Sequence, residues 1–259
     1  MGLFGKRRAT PADSVLPEDL VVVVDQAINP YLVSFHDPTG FRAEQVRALR
    51  NKLMAMNPEG LARTLVVTSA MRGEGKSVTS INLAIAFAEQ ERNPVLLVDA
   101  DLRSPSVDRY LNLNQRRGLA DVLLNRVSLD DAVQNSGVRN LFVLGAGRVM
   151  SRPSEILTPQ RLEALFDAFK ERYQYTIVDT PPVVPATDAS VIAARADGTL
   201  VVVRMEHSAK SHTKQALRIL QDLGANVLGA FATQVRGVDP DRMGYAYPGD
   251  DEEGAEGRG

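Results

Sequence analysis

The feature that most constrains this chain is a change of pattern over residues 65–77. An apolar run, LVVTS, stops at Ser69 and gives way to Ala70-Met71-Arg72-Gly73-Glu74-Gly75-Lys76-Ser77, after which a helical pattern begins. Glycines at 73 and 75 carry no Cβ, so the backbone there can approach a ligand closely. A helix opening at Lys76 points its unpaired amides and partial positive charge back at the loop. Strand, glycine-bracketed turn and Lys-Ser helix start form a cradle for nucleotide phosphates, with ATP the expected nucleotide. Arg72, Gly73, Glu74, Gly75, Lys76, Ser77 and Val78 are the residues expected around the phosphates. Lys76 should reach the β- and γ-phosphates, and the Ser77 hydroxyl should sit on Mg²⁺, whose octahedral shell phosphate oxygens and water complete. Ala70 stands where the first glycine of such loops is usual.

Such a loop needs a parallel sheet behind it, and the rest of the chain has the pattern of one. Apolar runs at 65–69, 95–100, 141–145, 175–180, 199–204 and 227–233 alternate with helical patterns at about 76–90, 159–172 and 209–222. Strands this uniformly apolar, with a helix between most neighbours, predict an α/β fold: a mostly parallel sheet covered on both faces. Upstream, Val46, Leu49, Leu53 and Met56 share one face of a helix that starts at Phe41 and stops at Asn57-Pro58. Residues 1–37 are expected to be a flexible leader, in which Val21 to Val24 can add an edge strand. Residues 38–236 should form the globular domain. Residues 237–259 contain seven acidic residues and few apolar anchors, and are expected to be a disordered tail.

Composition removes several functions. A formal charge of −2 supplies no basic field, so no nucleic-acid partner is expected. Zero cysteines exclude disulfides, thiolate metal sites and iron–sulfur ligation. No apolar stretch approaches the roughly 20 residues of a membrane-spanning helix, and MGLFGKRR lacks a signal-peptide core, so the expected location is cytoplasmic. Leu3 and Phe4 beside Lys6, Arg7 and Arg8 are either a weak contact for an anionic membrane or a frayed terminus.

Three carboxylates complete the chemistry. The run LLVDADLR ends a buried strand at Asp99, and Asp101 projects to the same side of an extended segment. TIVDTPP ends another at Asp179. An isolated aspartate at a strand end is usually a turn former or helix cap. Here the acids share the carboxyl edge of the sheet with the phosphate cradle, where ligands bind in open α/β folds.

In this order, SAMRGEGKS, VDADLRSP and VDTPP resemble the bacterial tyrosine kinases (BY-kinases) of capsular and exopolysaccharide export systems, relatives of the MinD/ParA ATPases. The likeness covers roughly residues 38–236. It implies an ATP- and Mg²⁺-dependent autokinase whose tyrosine-bearing tail enters a neighbouring subunit. By that resemblance, Asp99 orients or deprotonates the phenol, Asp101 and Asp179 hold the metal with Ser77, and Lys76 stabilises charge on the transferring phosphoryl group. Glu44, Arg47 and Arg50 match the family's Glu-x-x-Arg-x-x-Arg assembly motif, which implies a ring-like homo-oligomer. Read from spacing alone, Glu44 and Arg47 are equally an i,i+3 surface pair. Tyr245 and Tyr247 are the implied phosphoacceptors, roughly 30 Å of extended chain beyond the domain; otherwise they are incidental tail residues. The resemblance further implies the split form of the family, recruited to the inner membrane face by the cytoplasmic segment of a polysaccharide co-polymerase and reset by a tyrosine phosphatase.

Arg72 replaces the family's usual proline and Val78 its usual threonine. Thr233 and Gln234 stand where relatives often carry an adenine-recognising asparagine. Two alternatives stay open: a MinD/ParA-type ATPase switch, and an export regulator that binds ATP without productive kinase activity. The switch family carries a lysine where this chain has Met71.

Overall fold

Alternating side chains on the central strands divide the interior in two. Val66, Val98, Val178 and Val201 face one apolar cluster, while Leu65, Val67, Leu97, Ile177 and Val202 face the other. The structure, a computed structural model, describes residues 28–90, 94–114, 117–205 and 208–235. The expected leader strand at 21–24, most of the leader and the whole tail, Tyr245 and Tyr247 included, lie outside the described residues.

The strands are β1 (Arg63–Ser69), β2 (Val95–Asp99), β3 (Gln134–Asn135), β4 (Leu141–Leu144), β5 (Tyr175–Asp179), β6 (Gly198–Arg204) and β7 (Val227–Thr233). They form one sheet in the order β3-β4-β2-β5-β1-β6-β7, parallel except where β3 pairs with β4. Helices α1 (Val33–His36), α2 (Phe41–Ala55) and α3 (Lys76–Ala88) cover one face. The other face carries α5 (Leu119–Leu123), α6 (Leu129–Ala132), α7 (Pro159–Lys170), α8 (Asp188–Ala193) and α9 (Lys210–Asp222), and α4 (Val107–Tyr110) follows β2. The expected α/β architecture is therefore observed. Helices of four to six residues and the two-residue β3 are too short to show a period in the sequence.

Three local differences matter. Residues 28–37, expected in the leader, are docked on the domain: Leu32 is wholly buried, and Asn82 of α3 accepts the Ser34 amide at 2.8 Å while donating to the Tyr31 carbonyl at 3.1 Å. Strand β7 reads like an interior strand, yet Gly229, Ala230 and Ala232 are exposed because it is an edge. The buried face of α2 is Ala43, Val46, Arg50 and Leu53 rather than the expected apolar row, and Met56 is 59% exposed.

Candidate active site

Gly73 and Gly75 have φ of 81° and 94°, a left-handed backbone in which other residues are strained, and Gly75 is the N-cap of α3. Glu74 does not point outward with them. Its Oε2 accepts the Met71 amide at 3.0 Å, its Oε1 accepts the Ser208 hydroxyl, and the residue is buried. Thr233 Oγ1 donates to the Glu74 carbonyl at 2.9 Å, and Arg204 Nη1 to the Gly73 carbonyl at 3.4 Å. The ends of β6 and β7 thus brace the loop from outside. Glu74, expected among the phosphate-facing residues, has its side chain in that brace. Thr233, noted at an adenine-side position, meets the loop backbone instead. Arg72 is exposed and donates to the Ser104 hydroxyl, while Val78 is half-buried in α3.

The segment after β5 is laced to the same loop. The amides of Val183 and Val184 donate to the carbonyls of Ser69 and Ala70 at 2.9 and 3.2 Å, and Thr68 Oγ1 donates to the Pro181 carbonyl at 3.0 Å. Asp99 and Asp179 stand opposite each other in the register of β2 and β5. Lys76 Nζ lies 3.3 Å from Asp101 Oδ2, 3.8 Å from Asp179 Oδ1 and 3.2 Å from Ser77 Oγ. The fold therefore brings Lys76, Ser77, Asp101 and Asp179 together.

Asp99 is close by but turned inward. It is wholly buried; Oδ1 accepts the Asp101 amide at 3.0 Å, and Oδ2 accepts those of Ser106 and Val107 at 2.8 and 3.0 Å. Burial, then the Asp179 charge across the strands, pushes its pKa up to about 7 against the pull of those three amides. Burial likewise raises Asp179, and Lys76 opposes it. Burial works against the Lys76 ammonium, but Asp179 and Asp101 outweigh it and the pKa is raised. Lys76 is charged at neutral pH.

Asp179 Oδ2 is one of nine buried side-chain polar atoms without a hydrogen-bond partner among the described residues, and it belongs to the carboxylate that faces Lys76. With Asp101 and the Ser77 hydroxyl it offers hard oxygen donors of the kind Mg²⁺ takes from one or two carboxylates plus phosphates. The residues present fit the expected metal.

The expected assembly motif lies at the other end of α3. Arg47 donates from Nε and Nη2 to Glu89 at 2.9 Å each and contacts Glu44. Arg50 is buried and donates from Nη1 to Glu89 at 2.9 Å and to the Ala86 carbonyl at 2.7 Å. Hydrogen bonds to Glu89 and Glu44 hold the Arg47 pKa above its ordinary value in spite of partial burial. These side chains are joined within one chain, and Glu89 belongs to no motif: the packing of α2 against the end of α3 brings it to Arg47 and Arg50.

Comparison with known proteins places the chain in a family. Residues 62–228 match the family model described as an AAA domain. The tyrosine-protein kinase YwqD of Bacillus subtilis (strain 168) is 34% identical over 200 residues, covering 77% of this chain and 84% of the relative. Among solved structures, the chimerical protein CapA2B2 is 31% identical with a TM-score of 0.73, over 78% of this chain and 88% of that one. The kinase domain of the Escherichia coli tyrosine kinase ETK is 28% identical with a TM-score of 0.75, over 83% of each. The septum site-determining protein MinD from Pyrococcus horikoshii OT3, at 24% identity and a TM-score of 0.57 over 66% of this chain and 69% of that one, shares the fold.

Proposed function

The chain belongs to the bacterial tyrosine-protein kinases, and from that premise we propose that it moves the γ-phosphoryl group of ATP to tyrosines in the tail of a second copy of itself. The observation that carries the proposal is the convergence of Lys76, Asp101, Asp179 and Ser77 at the mouth of the glycine-bracketed loop. The loop amides and the start of α3 bind the phosphates, and Lys76 turns from its two acids to the phosphoryl oxygens. Ser77, Asp101 and Asp179 would hold Mg²⁺, which when bound would draw charge from the phosphate oxygens. Phosphoryl transfer passes through a loose transition state that needs position and charge stabilisation more than a strong base. Asp99 accordingly acts as a positioning residue: its three amide bonds hold the 101–107 turn that presents Asp101. Tyr245 and Tyr247 are the acceptors: each phenol passes its proton to solvent water as its oxygen bonds the γ-phosphorus, and the bond from that phosphorus to the departing ADP oxygen breaks.

Glu44 and Arg47 contribute to a ring-like homo-oligomer, with Arg50 supporting them from beneath. No helix among the described residues is long and apolar enough to cross a membrane. Recruitment to the membrane falls to the cytoplasmic segment of a polysaccharide co-polymerase, and a tyrosine phosphatase resets the tail. The kinase then regulates polymer export.

The test is to incubate the full chain with ATP, Mg²⁺ and the activating segment and map phosphate by intact-mass and peptide mass spectrometry. Phosphate on Tyr245 or Tyr247 is the expected result. Steady ATP hydrolysis without phosphotyrosine would instead establish an ATPase switch.

A further inference from the structure

The loops leaving the carboxyl ends of β1, β2 and β4 bring exposed arginines to one side of the site. Arg72 reaches the Ser104 hydroxyl, and Arg103 donates to the Ser151 carbonyl at 3.3 Å, while the Met150 amide donates to the Leu102 carbonyl at 2.8 Å. These bonds draw the 148–152 loop, with Arg148 and Arg152, against the turn that carries Asp101. Arg117 joins the same rim, because the amides of Leu119 and Ala120 donate to the carbonyls of Gly145 and Ala146 at 2.8 and 3.1 Å.

Few acids neutralise this rim. Asp188 takes Arg103 at 2.6 Å and Glu155 takes Arg152 at 3.4 Å, with Arg152 still 79% exposed. Among the described residues, Arg72, Arg117 and Arg148 have no carboxylate partner. Clustered guanidinium groups, each a planar fork of donors, suit a run of carboxylates. The chain contains one such run outside the described residues. Asp250, Asp251, Glu252 and Glu253 follow Tyr247 by three to six positions, in a segment, 237–259, with seven acids and only two arginines.

We propose that this arginine rim is the docking surface for Asp250 to Glu253 in the tail of a second copy of this chain, holding that copy's tyrosines at the phosphate loop. The proposal rests on the tyrosine-kinase reading above and adds what recognises the substrate segment. Three extended residues span roughly 10 Å, so acids bound on the rim leave Tyr247 within reach of Lys76 and Asp101. Strand β7 lies five strand spacings, about 24 Å, from β4, so a tail reaching its own rim would have to cross back over the phosphate loop of its own site, whereas a second copy's tail need not.

The test separates enzyme from substrate. One chain carries Tyr245→Phe and Tyr247→Phe, so that it acts only as enzyme; the other carries Lys76→Met, so that it acts only as substrate. Arg117→Ala, Arg148→Ala and Arg152→Ala together in the enzyme chain should raise KM for the substrate chain about five- to twentyfold, with KM for ATP and kcat unchanged. Exposed pairs each contribute a few-fold at most. The same three changes in the substrate chain should have no effect, and replacing residues 250–253 there by lysine should reproduce the loss. Unchanged kinetics with the altered rim, or a loss that follows the substrate chain, would overturn the proposal. A fluorescent peptide of residues 237–259 reports docking without chemistry. Its anisotropy should show about tenfold weaker binding to the altered rim, and equal binding would overturn the proposal. Rim-dependent peptide binding without any phosphotyrosine in the unaltered pair would sink the kinase reading while supporting the rim.

Discussion

The first and last turns of α3 handle charge in opposite ways. At the N-terminus one ammonium, Lys76, stands against two buried carboxylates, Asp101 and Asp179, and the amides of the turn face the loop. At the C-terminus one carboxylate, Glu89, receives two guanidinium groups, and Arg50 also takes the Ala86 carbonyl, an acceptor that the helix end would otherwise leave open. The C-terminal end is matched within the protein. The N-terminal end has excess negative charge and one unpartnered buried oxygen, Asp179 Oδ2, so a divalent cation would improve the balance there. The same helix is anchored by complementarity at one end and made receptive by its lack at the other.

The largest way to break this comparison is Lys76→Met. It removes the ammonium that lies within 4 Å of both acids, and with it the charge that steadies the transferring phosphoryl group. Tail phosphorylation should fall by about 10³-fold or more, read by phosphotyrosine mass spectrometry. Because Lys76 is largely buried and neutralises Asp179, the change should also lower the melting temperature at neutral pH. That loss should shrink as pH falls, because the raised pKa lets Asp179 take up a proton more readily than an ordinary carboxylate. A variant that phosphorylates normally would remove Lys76 from the chemistry.

A second effect comes from Asp99. Its folded pKa of about 7 lies above the ordinary 3.8, so between these values the folded chain holds a proton that the unfolded chain has lost. Stability from this group is therefore present below about pH 4, falls as pH rises to about 7, and is flat beyond. The full swing is up to about 4 kcal/mol. Urea unfolding from pH 4.5 to 7.5 should show the wild type losing more stability than Asp99→Asn across that window, whatever their absolute values. Parallel curves would mean that Asp99 is ionised throughout.

How much of this was legible in the sequence follows from the range of the interactions. The loop at 69–77 is local, so its glycines and Lys76-Ser77 were readable, as were the uniformly apolar strands behind it. The acids were readable as strand ends, but their directions were not. Asp99 turns inward because the 106–107 turn offers two more amides, and Ser106 shows no pattern that predicts this. Glu74 turns inward because Ser208 and Thr233, more than 130 residues away, close on the loop. Arg50 misled the helix reading because periodicity assigns a charged residue to the solvent side. Pairing with Glu89 and Ala86 overrides that rule.

The smallest effect sharpens the matched end. Arg50→Ala strips a buried side chain whose Nη1 serves Glu89 and the Ala86 carbonyl, and leaves that acceptor without its donor. It should cost about 2–3 kcal/mol in urea unfolding. Arg47→Ala removes a more exposed partner of the same carboxylate and should cost about 1 kcal/mol or less, since its side chain remains 22% accessible and solvent screens the pair. Neither should change kcat of an assembled kinase by more than about twofold, because both lie at the far end of α3 from Lys76. The difference between the two variants also decides how assembly must be probed. Light scattering on an Arg50→Ala protein confuses lost stability with lost contact, whereas Arg47→Ala leaves the helix anchored. A smaller particle for Arg47→Ala, at unchanged unfolding midpoint, places that side chain in the contact between copies. An unchanged particle leaves Glu44, Arg47, Arg50 and Glu89 as a clamp within one chain.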